Sequence, residues 1–325
     1  MRYIGYCLFA FFCTLPLHAA NVSGTFDAKQ VCPAYLSKNQ KTNPDNLTIL
    51  PQTSYQLKEI NRTRDPDWFR IVIGDGQYPL RWVSAECGEA IYDSSQGGGC
   101  QQSAGLADSY VLALSLQPAF CETYGYEAGK AECRDLPVES YQASHLVLHG
   151  LWPNQNACGQ HYGFCGVSSQ AHHCDYPPLP LSDQVGAKLK VLMPSYAHGS
   201  CLERHEWNKH GSCQILSADD YFTLAMRLTS EADSTPFGVY LHQHVGERIP
   251  RAQLQEKINE SFGAQNARKI YLGCKNGMLV EVYIQLPPLI PAAESLTALV
   301  DKAPEANRYQ GCPAMVGISD FTSKE

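Results

Sequence analysis

The chain has 325 residues, 44% of them hydrophobic and 18% charged, with a formal net charge of −7. That composition supports a folded core and excludes a low-complexity or disordered protein. The acidic balance excludes capture of polyanions by a whole-protein field, so a nucleic-acid ligand needs a local basic patch.

Residues 1–20, MRYIGYCLFAFFCTLPLHAA, place one early Arg before an apolar run and end on small residues, the pattern of a secretory signal peptide. No later run approaches the roughly 20 apolar residues of a membrane span. The mature chain is therefore expected from about Asn21, soluble, exported to the periplasm or the medium, and without a membrane partner. Of the 14 cysteines, Cys7 and Cys13 leave with the signal, and the rest form an even set for an oxidising compartment. No CxxC spacing occurs, which argues against a structural zinc site.

Residues 21–93 carry short β-type runs, LTIL, SYQLKEI, WFRIVIG and PLRWVSA, separated by turn signals such as DPD and GDG. They predict a small all-β domain that faintly resembles bacterial SH3-like domains, stapled by Cys32 and Cys87. The resemblance names an architecture and leaves the ligand of this domain unknown. A Gly, Ser and Gln-rich stretch beginning SSQGGGC reads as a linker over 94–107, with Cys100 able to pin it.

Residues 108–325 alternate irregularly between buried strands (110–116, 144–150, 269–274, 278–286) and helices (182–193, 217–230, 251–262). Ser217 ahead of Asp219 and Asp220 marks a helix start. Helices and strands without a regular βαβ alternation predict α+β.

The chemistry concentrates in RHEWNKHGSC, residues 204–213. On a helix, His205 and Lys209 are four apart, as are Glu206 and His210, so each pair projects from one side. Zinc in the manner of HExxH is disfavoured: these histidines stand at i and i+5, which turns the second by about 100° around the axis. Lys209 would also repel a dication. A charged, solvated helix face is the plainer alternative, but Trp207 lies inside the run and a second histidine, His149, closes the apolar SHLVLHG before Trp152.

HGLWP at 149–153 and HEWNKHGSC at 205–213 resemble the two signatures of the ribonuclease T2 family, in the same order. The resemblance runs from about Tyr110 to Cys312 and includes YVLALSLQPAFC. It implies a T2-type fold, with a central antiparallel sheet flanked by helices, and an endoribonuclease that works on single-stranded RNA, not DNA, by transesterification through a 2′,3′-cyclic phosphate. Low base specificity, no metal or other cofactor, and a monomeric state go with it. By this resemblance His210 is the base and His149 the acid, Glu206 and Lys209 stabilise the transition state, and His205 holds the phosphate. Two histidines sharing proton transfer imply an acidic to neutral optimum.

Trp152 is the expected stacking platform for a base, with Ser115 and Gln117 as polar contacts to base edges, whereas Trp207 is assigned to packing. Ordinary members carry a Trp where this chain has Leu116. The resemblance further implies that Cys213 pairs with a cysteine after the first signature, for which Cys174 is the candidate, and that Cys274 pairs with Cys312. Cys121 could close a short loop with Cys133. His161, His172 and His173 are read as surface residues of a cysteine-rich loop, with a place near the cleft as the alternative.

Overall fold

A computed structural model of the protein describes residues 19–43, 46–73, 80–93, 100, 102–159, 161–306 and 311–322. The apolar core of the signal peptide and the glycine run of the linker lie outside them. Residues up to 99 and residues from 100 onward form two compact units.

The first unit is all-β. β1 (Ala20–Ala28), β4 (Ser54–Ile60), β5 (Trp68–Val72), β6 (Leu80–Ser84) and β7 (Gly88–Asp93) make an antiparallel sheet of order β6-β5-β4-β1-β7. The short β2 (Cys32–Pro33) and β3 (Thr48–Ile49) pair beside it. Period-two alternation turns Phe26, Leu57, Phe69 and Ile71 into a common core. The expected Cys32–Cys87 bond is present. β1 and β7 escape a pattern reading because ANVSGTFDA and GEAIYD carry few large apolar residues.

In the second unit, β8 (Ser109–Leu116), β9 (Leu146–Asn154), β11 (Ile270–Lys275) and β12 (Met278–Leu286) form the antiparallel core β11-β12-β8-β9. The short β13 (Met315–Gly317) joins β12 at Met278 and carries β10 (Arg248–Pro250) on its other side. The short helices α1 (Gln117–Phe120) and α2 (Ala131–Arg134) precede β9; α3 (Asp183–Leu192), α4 (Pro194–Ala197), α5 (Leu202–Lys209), α6 (Ala218–Asp233), α7 (Pro236–Gln243), α8 (Arg251–Phe262) and α9 (Leu296–Lys302) follow it. The fold is α+β, as expected.

Helical periodicity translates directly into burial. Val185 and Leu189 of α3, Tyr221, Phe222 and Leu228 of α6, and Leu254, Ile258 and Phe262 of α8 pack with Leu112, Leu114, Val282 and Ile284 of the sheet. Ser217 caps α6, its hydroxyl accepting from the Asp220 amide at 3.2 Å. Among the described residues no helix is long and apolar enough to cross a membrane.

The second half of the stretch read as linker belongs to this unit. Cys100 is bonded to Cys158, the Gly105 amide donates to the Cys213 carbonyl at 3.0 Å, and Leu106 and Ala107 are buried.

The expected Cys121–Cys133 and Cys274–Cys312 bonds are present, but the pairing of Cys174 with Cys213 is not. Cys213 is bonded to Cys165, and Cys174 to Cys201. Helix geometry explains the difference. Eight residues of α5 span about 12 Å, with Cys201 before the helix and Cys213 just beyond it. Arg204 Nη1 donates to the carbonyls of Cys174 and Tyr176, which fixes Cys174 at the helix start. Cys165 sits at the far end, its amide donating to Ser212 Oγ at 3.0 Å.

Candidate active site

The two motifs meet where β9 faces α5. In the β8–β9 ladder Ala113 pairs with Gly150 and Leu114 with Leu148, so His149 is the extra residue of a β-bulge. A bulge re-aims the side chain it carries. His149 thus sits within a strand that continues to Asn154 rather than ending one, which corrects the expectation from its motif.

Glu206, on the inner face of α5, is 1% exposed. Its Oε2 accepts from the Trp152 indole Nε1 at 2.7 Å, and its Oε1 lies 3.7 Å from His149 Nε2. Gly150 makes this approach possible: a Cβ there would collide with Glu206 Oε2 and stand 2.5 Å from Trp152 Nε1. The Trp152 ring stacks on His210 with centroids 5.3 Å apart and meets His149 edge-on at 5.1 Å. Both imidazoles therefore pack on one indole.

Their electrostatic surroundings differ. Burial opposes a charge on His149, but the carboxylates of Glu281 and Glu206 outweigh it and raise the imidazole to about 9. His210, 8% exposed, is pushed well below its ordinary range by burial and then by the Lys209 ammonium. Its Nδ1 is buried without a hydrogen-bond partner, so a proton there gains nothing. Burial lifts Glu206 to about 7, against the pull of His149, Trp152 and Lys209. The site can hold one imidazole charged and the other neutral at the same pH.

Lys209 is half-buried, and its backbone carbonyl accepts from the Phe164 amide at 2.8 Å. His205 stands apart from the other four. It stacks on His173 at 4.2 Å with Phe164 edge-on at 6.2 Å, and burial followed by the His173 and Lys209 charges lowers it to about 4. His173 is therefore a cleft residue, not the surface residue expected. Its half-burial beside His205 comes from the Cys174–Cys201 bond that draws the loop onto α5.

Ser115, Gln117, His149, His173 and Glu281 line one cleft of about 250 Å³. Gln117 is buried, its amide donating to Cys121 Sγ at 3.3 Å, and Ser115 Oγ donates to Glu281 Oε1 at 2.7 Å. Trp152 is half-buried between its imidazole partners and Tyr283, whose ring is 5.8 Å away. Trp207 packs against the core, meeting Tyr221 edge-on at 5.8 Å. Glu281, Tyr283 and Phe164 escape motif reading. The one available signal was the single charge in the otherwise apolar strand run MLVEVYIQL. Among the described residues no group of three or more His, Cys, Asp or Glu is arranged to hold a metal ion.

Residues 107–299 match the model of the ribonuclease T2 family. Ribonuclease I of Escherichia coli (strain K12) is 29% identical over 200 residues, spanning 55% of this chain and 75% of that protein. The extracellular ribonuclease LE of Solanum lycopersicum is 27% identical over 162 residues, 46% of this chain and 65% of the relative. Among solved structures, RNase NT in complex with 5′-AMP aligns at 18% identity and a TM-score of 0.45, over 66% of this chain and 98% of that one.

Proposed function

Since the chain belongs to the ribonuclease T2 family and is an endoribonuclease, we propose that it cleaves single-stranded RNA by internal transesterification, with His210 as general base and His149 as general acid. The supporting observation is the opposite charge preference of two imidazoles packed on one indole.

Neutral His210 takes the proton from the ribose 2′-hydroxyl, whose oxygen attacks the phosphorus. Charged His149 gives its Nε2 proton to the 5′-oxygen as the P–O5′ bond breaks. Glu206 and Lys209 flank the pentacoordinate phosphorane, and preorganised groups in a site this buried act strongly on developing charge. His205, neutral above about pH 4, holds the phosphate as a hydrogen-bond donor rather than as a cation. The 2′,3′-cyclic phosphate is then hydrolysed to a 3′-phosphate, without a metal. DNA lacks the nucleophile.

Half-buried Trp152 is the stacking platform for a base, and with Gln117 lining the cleft this suits low base specificity. An N-terminal export signal and six disulfides among the described residues support action in the periplasm or outside the cell. The test is incubation of the purified protein with RNA and EDTA, beside His149→Phe and an RNA carrying one 2′-deoxynucleotide. Cyclic-phosphate ends from the parent alone, and no cut at the deoxy position, are expected. Abolition by EDTA or full activity in His149→Phe would overturn the scheme.

A further inference from the structure

The acid histidine has a partner on a strand two places away in the sheet. Glu281 of β12 pairs directly with Ser115 of β8, and β8 in turn pairs with β9, where the bulge points His149 back across the sheet. Glu281 Oε1 lies 3.1 Å from His149 Nδ1 and accepts from Ser115 Oγ at 2.7 Å. The Glu281 side chain is 13% exposed, and its Oε2 is buried without a hydrogen-bond partner. A carboxylate oxygen buried without a donor costs stability. Packing gives no reason to keep such a group in a strand otherwise built from Met, Leu, Val, Tyr, Ile and Gln.

We infer that Glu281 is a positioning residue for the cleavage reaction, and that Ser115–Glu281–His149 is a cross-strand relay that fixes the tautomer and aim of the acid. This rests on His149 being the acid, as proposed above. An ionised carboxylate only accepts hydrogen bonds, so His149 Nδ1 carries a proton that stays on nitrogen throughout. The proton that moves is therefore the one on Nε2, the nitrogen turned toward Glu206. Ser115, by donating to the same Oε1, sets that oxygen opposite Nδ1. It is thereby drawn away from the base-edge role expected for it.

The charge on Glu281 also acts on the acid directly. The groups facing His149 are Glu281 from β12, Glu206 and Lys209 from α5, with His205 and His210 at that helix, and His173 from the loop beside it. Glu281 and Glu206 favour the imidazolium, and the Lys209 ammonium opposes it. Removing Glu281 leaves Glu206, so His149 can still be charged, but over a narrower pH range and with a poorer aim.

The test compares Glu281→Gln and Ser115→Ala with the parent on two substrates: RNA, and uridine 3′-(4-nitrophenyl phosphate), whose leaving group departs without a proton. For Glu281→Gln we expect kcat on RNA to fall about 10- to 100-fold, the range for loss of a supporting hydrogen-bond partner. The alkaline limb of its pH profile should move down by about one unit. Activity on the nitrophenyl ester should stay within a few-fold of the parent, and Ser115→Ala should show the same pattern more weakly. Equal losses on both substrates in both variants would make the role structural and overturn the inference. So would parental kcat and pH profile on RNA. His149→Phe separates the two readings: inactive on RNA but retaining the ester, it upholds His149 as acid, and Glu281→Gln then decides the relay alone. If it stays active on RNA, the acid assignment itself fails.

Discussion

Trp152 donates its indole N–H to Glu206 across 2.7 Å and in doing so joins the strand motif to the helix motif. The bond favours the ionised carboxylate against burial, which still lifts Glu206 to about 7. Trp152→Phe keeps a ring against His210 but loses the donor, so Glu206 rises further and is more often neutral at pH 7. We expect kcat on poly(U) to fall about tenfold, in line with one hydrogen bond to a charged group. The deficit should shrink as pH rises from 6 to 8. A loss independent of pH would contradict this.

The pH profile follows from the roles proposed for the two imidazoles. His210 must be neutral, and its pKa lies well below 6.5, so the base is ready throughout the neutral range. His149 must be charged, and is so below about 9. The rate is therefore expected to fall above about pH 9, with an optimum shifted upward from the acidic to neutral range implied by two unperturbed histidines. A kcat/KM that climbs steadily to pH 10 would remove His149 from its role. The linkage has the same sign in folding. A raised histidine pKa stabilises fully below its unfolded value near 6.5, and that stabilisation is lost as pH rises through about 9.

Gly150 is a demand of close approach rather than of backbone freedom. Gly150→Ala places a methyl group where Glu206 Oε2 stands and forces Trp152 and Glu206 apart. A displacement of about 1 Å at such a site costs on the order of 100-fold, and overpacking costs about 1–3 kcal/mol of stability. Both are measurable, by turnover on RNA and by urea denaturation. Parental turnover would show that the contact is dispensable.

Peptide mapping of the unreduced protein should recover Cys165 with Cys213 and Cys174 with Cys201. Replacing Cys165 and Cys213 together by Ala should lower stability by about 2–5 kcal/mol and loosen Phe164 from the Lys209 carbonyl. Recovery of a Cys174–Cys213 peptide would overturn the assignment.

Much of this was legible in the chain because local patterns impose it. The apolar faces of α3, α6 and α8, the Ser217 cap and the strands around Leu112 and Val282 follow from periodicity within one element. The set of His149, Glu206, Lys209 and His210 was legible because two short motifs carry it whole. Glu281 was not, since its contact with His149 bridges 132 positions and depends on a bulge and on the order of three strands. His173 was missed for a related reason: its place beside His205 follows from which cysteine closes on which end of α5. Spacing alone left those pairings open.

Residues 165–174 and 201–213, with the two disulfides that join their ends, form a closed covalent ring, and α5 is one side of it. A single cut in either arm opens the ring without releasing the helix. As long as the bonds hold, the unfolded chain also keeps His173 near His205, Glu206 and Lys209, because the ring cannot spread as an open chain would. Refolding then begins with this half of the site already gathered, and the search that remains is for the strand that brings His149.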